Sequence, residues 1–519
     1  MRRIYRILVA GAMVLLSMTG KAQDRALITS SSIDDYLSWK SLWLGSRNPA
    51  ATGEFRAVSD SAHLNEALAY GDYESGSFRS PYDPESLLKG RMEARSIMNA
   101  GKAVLRGSFG YGYENGEKSR WRGLNNPSET PFMLADSIPG SISNEKYSMM
   151  AAVSVPLGEK WSFGIETGYD VSLMAKHVDL RNKNTRMDFR LAPGLRWTSG
   201  PVSIGAALDY SRYTEKIEYM QVDQSTEKYL FEFSGAWAGR SIGFSSAETS
   251  RMMTGQRIGG ELEAALSFVN GWSLYNEFYY GYRGNSQGET GYNGLRHGDS
   301  RSTVLNNNLY LVFGQQSRLG LHVSDSPMFG YRFIQRQELD PASGIRRYVT
   351  YGSPVPCYER KDMDFGVSYE LRPMSGKWEY YTAVNVGKLE EKAYEGGYGL
   401  NENFHSSTKV ALRVKRHFFC GENTISLEPK AVAKFYGPFA KPKIYCDPAE
   451  QSYYVQKTGD VYAASADAME DIWYDTPYLN AGIGIRWARK TMSVGADFSC
   501  MVSEEGTRSH ATLALGIRF

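Results

Sequence analysis

Three things are scarce in this chain, and each scarcity excludes a class. Cysteine occurs four times, at Cys357, Cys420, Cys446 and Cys500, with no close pair among them. That spacing excludes a CxxC redox motif and a Cys/His zinc site. Cys357 and Cys446 both fall in expected outer loops and can meet there, although two free thiols is the plainer reading. Net charge is small, formally +2, and becomes −2 once residues 1–22 are set aside. So balanced a chain does not read as a nucleic-acid binder. Long apolar runs are missing too. The mean hydropathy is negative, and after residue 22 nothing approaches ~18 consecutive apolar residues, so helical membrane spans are excluded.

Aromatics and glycine, in contrast, are abundant: 35 Tyr, 22 Phe, 10 Trp and 52 Gly. Aromatics at membrane interfaces and glycine in crowded barrel walls produce that bias together. The two ends of the chain point the same way. Arg2, Arg3 and Arg6 precede a short apolar stretch from Ile7 to Met18, and Gly20 and Ala22 are small. This is the pattern of a secretory signal peptide cleaved before Gln23. At the other end Ala511, Leu513, Leu515, Ile517 and Phe519 alternate with Thr512, Ala514, Gly516 and Arg518. A period of two with one apolar face fits a strand between lipid and water.

The alternation recurs at Trp161–Val171, Val202–Tyr210, Met363–Leu371 and Leu479–Trp487, each about the length of a tilted membrane-crossing strand. Short links rich in Gly, Ser or Asn occur at 157–159, 198–200, 270–271, 314–316, 373–376, 420–421 and 488–490. Seven tight turns join fourteen strands, and 102–113 and 508–519 add one at each end. The expectation is an all-β, transmembrane antiparallel up-and-down β-barrel of about sixteen strands, closed by pairing 102–113 with 508–519. Longer links near 114–145, 214–255, 326–360 and 437–477 lie on the opposite, outer side. Hairpins are expected at Tyr229–Phe233 and around Asp340-Pro341.

The chain thus divides into a signal peptide (1–22), an N-terminal plug-like or periplasmic segment (23–101) and the barrel (102–519). Ser32 is placed to cap a short helix carrying Ile33, Tyr36, Leu37 and Trp39, and a second helical patch is expected from Pro84 to Asn99. Trp39, Leu42, Trp43 and Leu44 give the segment more apolar surface than disordered tails carry.

The terminal strand resembles the one by which outer-membrane barrels are recognised for assembly, with Leu513, Leu515, Ile517 and Phe519 as its signal. The whole chain resembles uncharacterised outer-membrane barrel proteins of Gram-negative bacteria. That resemblance implies outer-membrane lipid and the barrel-assembly machinery as partners. Locally, Arg47-Asn48-Pro49-Ala50 is similar to the Asn-Pro-Ala motif near the amino terminus of the long-chain fatty-acid transporters, where a plug precedes a barrel that conducts hydrophobic ligands.

Catalysis and cofactors find little support. Gly284-Asn-Ser-Gln-Gly288 spells a Gly-x-Ser-x-Gly elbow, but the elbow needs a turn from a strand into a helix, and no helical pattern follows Ser286. His297 shares that loop, and His322 is expected on the lumen face as a polar wall residue. Asp467, Glu470, Asp471 and Asp475 lack an EF-hand spacing and read as solvated charges. The expectation is no enzyme, no metal and no cofactor.

Alternation instead places Lys409, Arg413, Lys415, Lys430 and Lys434 on the inner face, together with Asp209, Glu261, Glu263 and Glu277 of strands across the ring. Facing walls of opposite charge set up a transverse field, unless the charges pair with the N-terminal segment. The functional expectation is a gated or substrate-specific transport channel of the outer membrane, or an accessory of an envelope transport complex with its own protein partner. The alternatives are a structural or docking barrel with a blocked lumen and a fatty-acid-transporter-like channel, with an outer-membrane hydrolase behind them.

Overall fold

A computed structural model describes residues 29–438 and 461–519, except positions 60, 227, 245–247, 269–270, 291–293, 315, 343, 374 and 396–397. The expected signal peptide and Cys446 lie outside the described residues. The strands, in chain order, begin with β1 (His63–Gly76), β2 (Ser86–Ala100), β3 (Ala103–Ser119), β4 (Phe132–Ala135), β5 (Gly140–Leu157), β6 (Trp161–Lys176) and β7 (Arg181–Ser199). There follow β8 (Val202–Met220), β9 (Lys228–Ser234), β10 (Gly239–Phe244), β11 (Glu248–Ser267), β12 (Trp272–Glu289), β13 (Arg296–Phe313), β14 (Ser317–Asp325) and β15 (Met328–Leu339). The last are β16 (Arg346–Leu371), β17 (Trp378–Glu395), β18 (Tyr398–Cys420), β19 (Asn423–Tyr436), β20 (Tyr478–Arg489), β21 (Met492–Ser503) and β22 (Gly506–Arg518).

All except β4, β9 and β10 form one antiparallel sheet that closes on itself. Closure joins β1 to β22, with Ala69 opposite Leu515 and Glu66 opposite Arg518. The terminal residue extends this ladder: Phe519 N–H donates to Asn65 O at 3.0 Å, and Asn65 N–H donates back at 3.1 Å. β14 and β15 share one place in the ring, for β13 and β16 pair with both. Nineteen strands therefore fill eighteen positions, and no sheet edge is left to be satisfied in lipid.

The count corrects the expected sixteen. All sixteen expected strands are present, β15 shares a place with one of them, and two more, β1 and β2, lie in the stretch assigned to the N-terminal segment. The barrel thus begins at His63, and 103–119 pairs with β2 and β5 rather than closing the ring. The physical reason is an inverted face. In β1 the apolar Leu64 and Leu68 point inward and are buried, while the outward positions are Ala67, Ala69 and Gly71. The helix expected over Pro84–Asn99 is the strand β2, with Leu87 and Ile97 buried inside and Leu88, Met92 and Met98 outside. A two-residue turn at Gly101-Lys102 joins β2 to β3, and Gly101 takes φ +58°, where glycine is at home.

The outer face is apolar. Leu208 and Leu513 are each 65% exposed, and Ile258, Leu262, Leu479, Ile483, Ile485 and Leu515 join them. Apolar surface this extensive is the signature of a wall that faces lipid. Near the tight turns it ends in aromatic pairs. Trp161 lies opposite Trp197, and Trp272 meets Phe313 edge-on at 4.6 Å between ring centres. Trp378 stacks with Tyr380 and carries the Arg416 guanidinium over its ring at 4.5 Å. Such amphipathic rings mark a membrane–water boundary. No helix among the described residues is long and apolar enough to cross a membrane.

Residues before β1 fold into α1 (Ile33–Lys40), α2 (Leu42–Gly45), a 3-10 turn (Pro49–Glu54) and α3 (Phe55–Val58). Ser32 caps α1 as expected, its hydroxyl accepting from Asp35 N–H at 3.1 Å. On the long-loop side, β4, β9 and β10 make a separate three-stranded sheet, and α4 (Val461–Asp475) packs against β18. The Tyr229–Phe233 hairpin is therefore real. It does not rise clear of the barrel, because Leu230, Phe231 and Phe233 are each 2% exposed in a cluster with Ile217 and Tyr219 of β8. The Asp340-Pro341 hairpin joins β15 to β16.

Candidate functional site in the barrel lumen

The segment from Thr29 to Val58 touches strands all around the ring, which puts it inside. One side is apolar: Ile33, Leu37, Leu44 and Phe55 pack on the inward Leu64, Ile97 and Val104 of β1–β3. The opposite side is polar and centres on Asn48-Pro49-Ala50. Asn48 Nδ2 donates to Glu263 Oε2 at 2.7 Å and to Leu195 O at 3.1 Å, while its Oδ1 accepts from Ala50 N–H at 3.0 Å. Ser154 and Ser162 donate to Ala50 O at 2.9 and 3.3 Å. Pro49 opens the 3-10 turn, where a proline needs no N–H donor.

Three wall glycines make room for this turn. A Cβ at Gly164 would fall on the Pro49–Ala50 peptide, one at Gly194 on Asn48 and Pro49, and one at Gly205 on Asn48, Glu263 and Trp43. Gly164, Gly194 and Gly205 lie on β6, β7 and β8, so a groove in the wall is cut to the backbone of the motif. Glycine permits that close approach because it has no side chain. Beside the groove, Arg196 pairs with Glu54 and lies 4.3 Å over the Trp43 ring, and Arg47 lies 4.8 Å over Tyr279.

The rest of the segment is held by arginines and lysines of the wall. Arg372 pairs with Asp35 at 2.8 Å, and Arg95 and Arg106 pair with Asp34 at 2.9 and 2.8 Å. Burial pushes the Asp35 carboxyl up, but Arg372, the Ser31 N–H and Lys415 together outweigh it and hold that group at about 2. Trp39 is gripped between two guanidinium planes, Arg318 at 4.3 Å and Arg372 at 4.4 Å. Glu66 accepts from Ile33 N–H at 3.1 Å at the start of α1, where a negative charge suits the helix dipole, and is itself paired with Arg518 at 2.6 Å. Lys415, Arg486 and Arg518 donate to the carbonyls of Thr29 and Ser30. On the tight-turn side a cavity of about 1270 Å³ opens beneath the segment, bordered by Trp39, Trp43, Arg196, Arg318 and Arg372.

A second layer lies in the long-loop half of the lumen. Tyr219 donates to Leu134 O at 2.9 Å, Gln287 to Phe132 O at 2.8 Å and Arg332 to Ser234 Oγ at 2.7 Å, tying the small sheet to β8, β12 and β15. Arg251 and His297 both reach Glu232, at 3.1 and 2.7 Å. Trp121, Phe231, Phe233 and Trp237 form the aromatic centre of the layer. Two of the α4 acids expected as solvated charges, Asp467 and Glu470, are anchors instead. Asp467 accepts from Asn401 and Asn403, and Glu470 accepts from Trp237 Nε1 at 2.5 Å. Burial, then Glu391, pushes the Glu470 carboxyl well above its usual range. This helix sits within an expected loop. Among its described side chains Ala466 and Glu470 are the buried ones, and an alanine with a carboxylate gives no apolar stripe to read.

The expected lumen charges sit in two groups. Glu263 and Glu277 are directly opposite across β11 and β12, Glu261 is 3% exposed, and Asp209 pairs with Arg190 at 2.9 Å. Of the basic set, Lys430 pairs with Asp497 at 2.7 Å, Arg413 lies 3.9 Å from Glu370, and Lys434 donates to Trp473 O and Tyr474 O. Lys415 and Glu263 bind the N-terminal segment directly, whereas Lys409 borders a small cavity near α4. On a ring of eighteen, the acidic strands β8, β11 and β12 stand five to eight places from β18 and β19.

Leu513, Leu515 and Ile517 line the outer face of the closing strand. Cys357 is a buried thiol among Phe132, Met328 and Tyr358. His322 is a wall residue bonded to Asn308 at 2.7 Å. Ser286 lies inside β12 opposite Asp299, with no strand-to-helix turn, and His297 is held by Glu232 and Glu289.

No curated protein matches the chain. Among solved structures, the ferric preacinetobactin receptor BauA from Acinetobacter baumannii is similar over 88% of this chain and 80% of its own, at 8% identity and a TM-score of 0.41. The ferric yersiniabactin uptake receptor FyuA from Yersinia pestis is similar over 87% and 80%, at 7% identity and 0.40. The copper transporter OprC is similar over 87% and 80%, at 8% identity and 0.41. Likenesses of this degree assign no ligand to this chain, whose fold rests on its own strand pairing. The resemblance of Asn48-Pro49-Ala50 to the fatty-acid transporters is not sustained, for the match at family level is to another group. A family model described as "Family of unknown function (DUF6850)" matches residues 56–519, and the chain belongs to that family.

Proposed function

We propose that the protein is an outer-membrane transport barrel gated by its own N-terminal segment. The observation that carries this reading is the unequal attachment of Thr29–Val58. One side is fixed to β1–β3 by an apolar cluster, and the other is latched to β5–β7 and β11 through Asn48-Pro49-Ala50. Burial of apolar side chains is hard to reverse. The groups of a polar latch can exchange their hydrogen bonds for bonds to water when the segment moves, so the polar side is the one suited to release. In this reading the apolar side is the hinge, the Asn-Pro-Ala turn is the catch, and the cavity of about 1270 Å³ is the vestibule on the periplasmic, tight-turn side.

Leu513, Leu515, Ile517 and Phe519 are proposed to serve as the assembly signal, read by the barrel-assembly machinery. The acidic set (Asp209, Glu261, Glu263 and Glu277) and the basic set (Lys409, Arg413, Lys430 and Lys434) are proposed to orient a polar or zwitterionic solute once the segment has swung aside. No catalytic step is proposed for Ser286.

The rival is a docking barrel whose lumen stays blocked, serving an envelope protein partner. The buried aromatic layer around Trp121, Phe231 and Phe233 favours it. Swelling of liposomes in small sugars and zwitterionic amino acids discriminates the two. Asn48→Ala is expected to raise the swelling rate above wild type. No swelling by either folded protein contradicts the transport reading.

A further inference from the structure

We propose that His405, Asp471 and Asp475 bind a divalent transition-metal ion that fastens α4 to the barrel wall. His405 projects from the inner face of β18, and α4 packs against that strand. One donor atom from each of the three residues lies within 4.8 Å of the other two. Asp471 and Asp475 stand four residues apart and so share one face of the helix, close to its C-terminal end. Like charges at that spacing repel, and negative charge at a helix C-terminus opposes the dipole. An arrangement unfavourable on both counts is relieved by a cation. Lys434 supplies part of it at the helix end, where its ammonium donates to the carbonyls of Trp473 at 2.9 Å and Tyr474 at 2.5 Å, and a metal ion would add positive charge at the carboxylates themselves.

A second observation comes from the imidazole. His405 is 3% exposed, its Nδ1 lies 3.0 Å from Asp475 Oδ1, and its buried Nε2 has no hydrogen-bond partner. The ring is held in place by stacking on Tyr474 at 4.9 Å. A buried imidazole that meets Asp475 through Nδ1 and leaves Nε2 without a hydrogen-bond partner keeps one ring nitrogen free to bind a metal ion. One imidazole with two carboxylates suits Zn²⁺, Ni²⁺ or Cu²⁺ better than Ca²⁺ or Mg²⁺, which prefer oxygen ligands throughout. A cavity of about 170 Å³ bordered by His405, Lys409, Lys434 and Tyr474 leaves room for water in the remaining coordination positions. Because α4 also holds Trp237 through Glu470, a metal here would fix the helix and the outer layer together.

The test is zinc titration of the full-length refolded barrel, with metal content measured after dialysis and Co²⁺ absorption as an independent readout. Wild type is expected to retain one Zn²⁺ per chain and to give a visible Co²⁺ band. Asp471→Asn, Asp475→Asn and His405→Ala are each expected to weaken binding at least tenfold and to abolish the band. Heat-modifiable gel migration verifies that each variant is folded, and the near-isosteric Asp→Asn changes decide the matter if His405→Ala misfolds. Retention of no zinc by folded wild type overturns the proposal, as does binding that the Asp variants leave unchanged.

Discussion

Replacing Asn48 with Ala tests the latch at its centre. Asn48 is 2% exposed and bonds to Glu263, which is equally buried, through a contact of 2.7 Å. A hydrogen bond to a charged group contributes about 1.5–3 kcal/mol. The same side chain caps the 3-10 turn through Ala50 N–H, and losing an Asn cap costs about 0.5–2 kcal/mol. Together these put the cost of Asn48→Ala at about 2–5 kcal/mol, all of it charged to the docked state. At tenfold per ~1.4 kcal/mol, the undocked population rises by roughly thirtyfold to a few thousandfold. Trypsin reads that population, because Lys40, Arg47 and Arg56 lie in the segment and cleavage tracks the open form when reclosing is fast. The barrel should stay intact by heat-modifiable migration while the segment is cut faster. Glu263→Gln keeps one acceptor oxygen for Asn48 and loses the charge and the acceptor for Tyr275, so its effect on the latch should be smaller. The two changes should also couple by about 1–3 kcal/mol in a double-mutant cycle. Wild-type cleavage rates in the folded Asn48→Ala protein would refute the latch.

The groove makes a sharper comparison within one strand. Gly164→Ala drives a methyl into the Pro49–Ala50 peptide and should release the segment, whereas Gly168→Ala meets nothing nearer than 3.7 Å and should leave tryptic cleavage unchanged. Acid should loosen the segment through Asp35. Its folded value of about 2 lies below the unfolded one near 3.8, so its contribution is full above about pH 4 and is lost as pH falls toward 2. That contribution is about 2 kcal/mol, and Asp35→Asn should remove both it and the acid step, followed by tryptophan fluorescence. Phe231→Ala should cost the outer layer about 3–5 kcal/mol, seen as faster hydrogen exchange over β4, β9 and β10 with tryptic cleavage of Thr29–Val58 unchanged.

Strands were legible wherever lipid was the outer solvent. Leu479, Ile483 and Ile485 had to alternate with Gly482, Gly484 and Arg486 because one face meets lipid and the other a polar interior. β1 and β2 escaped because their inner faces are apolar as well: Leu64, Leu68, Leu87 and Ile97 lie in the wall behind or beside the N-terminal segment, and the alternation loses its contrast. The Asn48-Pro49-Ala50 turn was visible as a motif, but its seat was not. Gly164, Gly194 and Gly205 are three glycines among 52, and only the register of β6, β7 and β8 brings them together. The second layer was hidden for a related reason. Phe231 and Trp237 come from one long link and Trp121 from another, and which face of a loop is buried is decided by the barrel around it.

Single-channel conductance in planar bilayers tests the gating claim most directly, comparing a protein of residues 23–519 with one of residues 59–519. The longer protein is expected to stay closed with brief openings, and the shortened one to give a steady ohmic current. A shortened barrel that is folded by heat-modifiable migration and still passes no current would contradict the claim and leave the docking barrel as the better account.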